Sequence, residues 1–230
     1  LLNDYSGSPL VFSQILAGLA QKHCEIDLYT AGKRRGFLSD LEVVRHRTFR
    51  YQWSSNRWVT LVNYLLSQVL LFCTLLRYWR QPVKIYVNTV LPFAAAVAGR
   101  LMGKEVIYHI HETSLKPMLL KAFLFELASL CGHRSIYVSK FIAHEEPLPG
   151  QQHMLYNALP TMFESVSEQA ASQNSQTVLM LCSLKRYKGV DEFVTLAEAN
   201  PGIPFELALN ATAPEIEAYF AESRLPENLS

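Results

Sequence analysis

Short runs rich in β-formers alternate with helical patterns along the whole chain, and this alternation restricts the fold more than any single residue does. The strand candidates are CEIDLYT, LEVVRHRTF, KIYVNTV, EVIYHIHE, RSIYVSK, HMLYNAL, TVLMLCSL and FELALNA. Between most of them apolar residues recur at helical spacing, over residues 9–22, 57–80, 92–102, 116–131, 190–200 and 214–223. Such an order calls for parallel strands joined by right-handed crossovers. The expected fold class is therefore α/β, a doubly wound, Rossmann-like parallel sheet followed by an incomplete second unit of the same kind. Ligands of such sheets gather at the carboxyl ends of the strands, so chemistry is expected just after each strand.

The alternation breaks once, where TMFESVSEQAASQNSQ is polar and without periodicity, as a linker would be. Residues 1–160 are expected to form a first domain, 161–176 the linker, and 177–230 the beginning of a second domain with only two strands and two helices. Neither end of the chain looks like a natural terminus, since it starts at Leu1 without Met and stops at Ser230 in a loop. An internal piece of a longer protein is the expectation.

Half of the 230 residues are hydrophobic, enough for a substantial core. The formal net charge of +1 argues against a chain that coats nucleic acid. Cys24, Cys73, Cys131 and Cys182 are far apart and form no Cys-x-x-Cys pair, which fits a reducing, cytoplasmic setting and suggests neither zinc nor a disulfide framework. The run VTLVNYLLSQVLLFCTLLRYW is apolar enough to raise a membrane span. Asn63, Ser67, Gln68, Thr74 and Arg77 interrupt it, so a packed, largely buried helix is expected, with an interfacial helix as the alternative.

Four places carry candidate chemistry. Gly7 and Ser8, in Asn3–Pro9 ahead of a helix, would let backbone amides approach a phosphate or sugar, although Gly followed by Pro also opens ordinary helices. In YHIHE, alternation puts His109 and His111 on one face at a strand end, where an imidazole can hold a hydroxyl or share its proton. Glu112 follows, yet a third firm metal ligand is missing, and satisfied imidazoles at a strand end are the alternative. Ser139 and Asn157 each close a strand, as a cap or turn residue also would, and no Gly-x-Ser-x-Gly surrounds Ser139. Lys185, Arg186 and Lys188 lie between the strand TVLMLCSL and the next helix, where a helix N-terminus and cations together suit an anion; a solvated basic loop is the alternative.

In order, these pieces resemble glycosyltransferase family 4, with its GT-B architecture of two Rossmann-like domains. CSLKRYKGVDEFVTLAE is similar to that family's strand, basic loop and Lys-Gly-Val helix, and YVNTVLP, YHIHETSLK, SIYVSKF and MLYNALP add support. The resemblance implies a retaining hexosyltransferase that moves a sugar from a nucleotide-diphosphate donor to an acceptor hydroxyl, in surface polysaccharide or glycolipid synthesis. It implies Lys188 on the diphosphate with Lys185 assisting, Gly7 and Ser8 near phosphate and sugar, and His111 beside the reacting sugar. Glu112, Ser139 and Asn157 would face the sugar or acceptor. Neither cofactor nor metal is expected, because cations and helix N-termini stabilise the leaving group. The expected partners are the donor and a glycan or lipid-linked acceptor, with peripheral contact at the inner face of the cell membrane and no nucleic acid. The sequence departs from the pattern at Gly7-Ser8, where relatives carry paired glycines, at Cys182-Ser183, where Gly-Arg is usual, and in lacking the paired glutamates of the donor motif. A non-catalytic sugar- or nucleotide-binding module and a nucleotide-sugar epimerase are the alternatives.

Overall fold

The computed structural model describes residues 3–32, 35–111, 114–159, 176–221 and 225–230. The chain divides into two compact units, Leu1–Ala158 and Leu159–Ser230.

The first unit runs α1 (Gly7–Gln21), β1 (Asp27–Ala31), β2 (Arg45–Phe49), α2 (Arg57–Leu75, continued by a 3-10 turn to Tyr78), β3 (Ile85–Asn88), α3 (Phe93–Leu101), β4 (Val106–Ile110), α4 (Met118–Cys131), β5 (Arg134–Tyr137), α5 (Lys140–Glu145) and β6 (Gln151–Met154). All strand pairs are parallel: β1 with β2, and β3-β4-β5-β6 in that order. Alternation sorts the side chains of the larger sheet onto two faces. Ile85, Val87, Val106, Tyr108 and Ile110 join Ala96, Leu124 and Ala128 of α3 and α4 in the main core. On the opposite face Tyr86 stacks on Phe12 of α1, with ring centroids 5.6 Å apart. Both faces of β3 and β4 are thus covered, as a parallel sheet requires.

Small residues let α3 come close to the sheet. Ala96 and Ala98 are fully buried, and a Cβ at Gly99 would stand 2.7 Å from the Val106 side chain. Glycine is needed there for room, not for its backbone freedom.

The second unit contains β7 (Val178–Ser183), a 3-10 turn (Arg186–Lys188), α6 (Val190–Ala199), β8 (Phe205–Asn210) and α7 (Ala213–Phe220). β7 and β8 are parallel, and a further parallel bridge joins Phe205 to Leu229. Phe193, Ala197 and Phe205 form its core, with Met180, Leu207 and Leu229 against them. Asn228 closes the end of α6 by donating to the carbonyls of Ala197, Asn200 and Ile203.

Candidate functional site

At the carboxyl ends of the first unit's strands lies a cavity of about 580 Å³. Ala31 at the end of β1, Phe49 at the end of β2, Thr89 after β3, His111 after β4, Val138 after β5 and Asn157 after β6 all reach it. The loop into α1 closes another side through Asp4, Ser6, Gly7 and Ser8. That loop is held firmly. Asn3 Oδ1 accepts from the Leu38 N–H at 3.0 Å, Asn3 Nδ2 donates to Ser39 Oγ at 2.9 Å, and a Cβ at Gly36 would strike the Asp4 backbone nitrogen at 2.4 Å. Asp4 Oδ1 in turn accepts from the Ser6 N–H.

Asn88, fully buried at the end of β3, ties the two sides together. Its Nδ2 donates to Ser8 Oγ at 3.0 Å, and its Oδ1 lies 2.8 Å from His111 Nε2. With the amide in this orientation, the proton of a neutral His111 sits on Nε2, and Nδ1 is left as the acceptor nitrogen. Burial lowers the His111 pKa to about 4. The neighbouring His109, 4.0 Å away between ring centroids, is lowered to about 3 by burial and then by His111. Both rings are neutral at pH 7. His109 Nδ1 bonds the Tyr86 hydroxyl at 3.0 Å, and its buried Nε2 has no partner among the described residues.

Thr89 adds backbone strain at the cavity wall. Its φ of 69° is in the left-handed region, unusual for a β-branched residue, and bonds on both sides hold it there. Its N–H donates to the His109 carbonyl at 2.8 Å and its Oγ1 accepts from the Leu91 N–H at 3.3 Å.

Of the residues singled out in the sequence, Gly7, Ser8, His111 and Asn157 come together at this cavity. Gly7 meets open space where a Cβ would stand. Ser139 is occupied as the cap of α5, its Oγ accepting from the Ile142 N–H at 3.2 Å, and the adjoining Val138 lines the cavity. Glu112 lies outside the described residues. Sequence reading included Asp4 in the Asn3–Pro9 loop, named Gln68 only as a break in an apolar run, and passed over Asn88. Asn88 left a usable signal, as a polar residue closing an apolar strand beside the one that carries His111.

Lys185 and Lys188 belong to the second unit, at the exposed turn after β7. Gly189 has φ of 85° there and leads into α6, which makes the Lys-Gly step a backbone requirement. The Lys188 ammonium stands 5.3 Å from the Tyr187 ring centroid. Asp191 and Glu192 occupy the first turn of α6, where carboxylates already complement the helix dipole. The turn is therefore more balanced in charge than its three cations suggest. Among the described residues, no three His, Cys, Asp or Glu side chains gather as a metal site.

No family model matches the chain, and no curated protein does. Solved structures do match in fold. Anabaena Alr3699/HepE in complex with UDP aligns at 16% identity and a TM-score of 0.63, over 100% of this chain and 67% of that one. MurG of Acinetobacter baumannii aligns at 15% and 0.56, over 100% of this chain and 64% of that one. A glycosyltransferase from Rickettsia africae ESF-5 aligns at 13% and 0.52, over 97% and 62%. The chain thus spans about two thirds of the length of these structures, and it has the parallel-sheet, Rossmann-like architecture of GT-B glycosyltransferases.

Proposed function

We propose that the chain is the acceptor-side domain and the beginning of the donor domain of a retaining glycosyltransferase. It would move a sugar from a nucleotide-diphosphate donor to an acceptor hydroxyl, in surface polysaccharide or glycolipid synthesis. The observation that carries this reading is the Ser8–Asn88–His111 bridge across a cavity at the carboxyl edge of a parallel sheet. The fold shared with a glycosyltransferase and with a protein in complex with UDP supports it.

In the reaction the acceptor oxygen forms a bond to the anomeric carbon as the bond to the diphosphate breaks. The departing phosphate takes the acceptor proton, and retention follows when attack and departure use one face. His111, neutral and fixed by Asn88, orients and polarises the sugar by hydrogen bonding. Ser8 and the amides opening α1 face the same space. Lys188, with Lys185, offsets the charge of the leaving diphosphate. No metal is required for this division of roles.

Transfer assays on the longest natural form of the protein test the proposal, using UDP- and GDP-sugars. His111→Ala and Lys188→Ala are each expected to reduce kcat by about 10²–10³, the usual effect of removing one group that stabilises developing charge. Unchanged transfer in either variant removes that residue from the mechanism. The second reading, a binding module without turnover, is favoured by the acidic first turn of α6. Tight binding of a nucleoside diphosphate with neither transfer nor donor hydrolysis would select it.

A further inference from the structure

α2 is amphipathic in the opposite sense to a helix on a soluble core. At 100° per residue, Tyr64, Ser67, Gln68, Leu71 and Leu75 share the inward face, and three of them, Tyr64, Ser67 and Gln68, line the cavity. The polar groups are used up inside. Tyr64 donates to the Leu91 carbonyl, Ser67 donates to the Tyr64 carbonyl, and Gln68 Oε1 accepts from the Ala94 N–H that opens α3. The outward face is apolar: Trp58, Val62, Leu65, Leu66 and Val69 are 64%, 55%, 47%, 57% and 59% exposed. Over 22 residues the segment is long and apolar enough to cross a membrane by length and composition, yet its inward face is committed to the fold. It can lie along an apolar phase but not pass through one.

Charge identifies the phase. From Val43 to Lys104 the sequence has no Asp or Glu and nine of the chain's 21 Lys and Arg. Arg45, Arg47 and Lys84 pair with Glu25, Asp27 and Glu105, and the other six, Arg50, Arg57, Arg77, Arg80, Arg100 and Lys104, have no ion pair among the described residues. Arg57 begins α2, and Arg77 and Arg80 follow its end. All three tryptophans of the chain are here as well, Trp53, Trp58 and Trp79, each more than half exposed. An apolar stripe with aromatic and arginine ends suits a surface with an apolar interior and an anionic rim. A second exposed apolar group, Met118, Leu119 and Phe123, begins α4, and edge-to-face contacts of Tyr64 with Phe93 and of Phe93 with Phe123 link it to α2.

We infer that the outer face of α2 is a docking surface for an anionic lipid bilayer, with the helix lying in the plane of the interface. The bilayer is then one helix diameter, about 10 Å, from the cavity that α2 lines. If the transferase reading holds, the favoured acceptor is one carried on a lipid in that bilayer. The docking itself does not rest on that reading.

Tryptophan fluorescence reads this surface directly, since no tryptophan lies elsewhere. Titration with phosphatidylglycerol-containing vesicles is expected to shift the emission to the blue and to co-sediment the protein. Vesicles of phosphatidylcholine alone should bind much less, and added salt should weaken binding. Replacing Arg77 and Arg80 together by Gln should lower the partition coefficient by about fivefold for each arginine. The exposed-face variant Val62→Ser/Leu66→Ser/Val69→Ser should lower it by at least about tenfold while keeping its circular dichroism, because none of the three is buried. Quenching of Trp58 by brominated acyl chains, in a Trp53→Phe/Trp79→Phe background, gives a depth reading that needs no change to the stripe. Equal binding to both vesicle types, an unchanged partition of the serine variant, or absence of quenching overturns the inference. So does a dimer that the serine variant abolishes with no vesicle binding by the parent, since a second copy would then cover the face. These readouts need no catalysis, so loss of docking and loss of the transferase reading are separate results.

Discussion

Two imidazoles buried side by side give the fold a pH dependence. His109 and His111 have pKa values lowered to about 3 and about 4, mainly by burial, so between the ordinary histidine value and these values the unfolded chain binds protons that the folded one refuses. Stability is therefore full above about pH 6.5 and falls as the pH drops below it, by at most about 1.4 kcal/mol per pH unit for each ring. Urea unfolding followed from about pH 7 to about pH 5 should show the loss, and His111→Gln should flatten it. Parallel pH curves for the two proteins would remove His111 as the source. The face shared by these rings was legible in the sequence, because β alternation places residues 109 and 111 together. The groove between Ser8 and His111 was not, since Asn88 joins residues 80 and 23 positions away, and only the parallel register of β3 and β4 brings it there.

Elements with a strong apolar period were read closely. The helix expected over 190–200 is α6 at Val190–Ala199, and that over 92–102 is α3 at Phe93–Leu101. The strand read as HMLYNAL lies earlier, at Gln151–Met154, because β6 is an exposed strand whose place comes from pairing with β5 and leaves no hydrophobic alternation. α5 was missed for its length, with six residues and a single buried one. α2 was expected largely buried, and the structure shows the reverse, since periodicity gives the width of an apolar stripe but not which side it faces. The end of α1, expected at residue 22, falls there, at a Lys22 C-cap, without a glycine to mark it. His23 has φ of 58° after the C-cap, with the His23 N–H on the Ala20 carbonyl at 2.9 Å and the Cys24 N–H on the Leu19 carbonyl at 3.2 Å, a Schellman closure without its usual glycine. Relieving the left-handed strain outweighs the added freedom of the unfolded chain, so His23→Gly should stabilise the protein by about 0.5–1 kcal/mol. Thermal unfolding checks it, and a lower Tm for the variant would mean that the imidazole itself holds the turn.

At the scale of the molecule, the two units are unequal as folding objects. In the first, β4 is buried along almost its whole length between α3 and α4 on one side and the Tyr86–Phe12 stack on the other. In the second, the described residues include four buried apolar side chains, Val190, Phe193, Ala197 and Phe205, while Leu179 and Leu181 of β7 remain 52% and 72% exposed on a sheet whose parallel pairing favours cover on both faces. Apolar burial is the main favourable term in folding, so the second unit has the smaller reserve against its conformational entropy. Its local unfolding should precede that of the first unit. Hydrogen exchange of the native chain reads the order: amides of β7 and β8 should exchange well before those of Val106–Ile110, and calorimetry should give an enthalpy larger than the van't Hoff value. Equal protection of β4 and β7, with a single two-state transition, would show that the units fold as one and that the exposed face of β7 costs the second unit nothing.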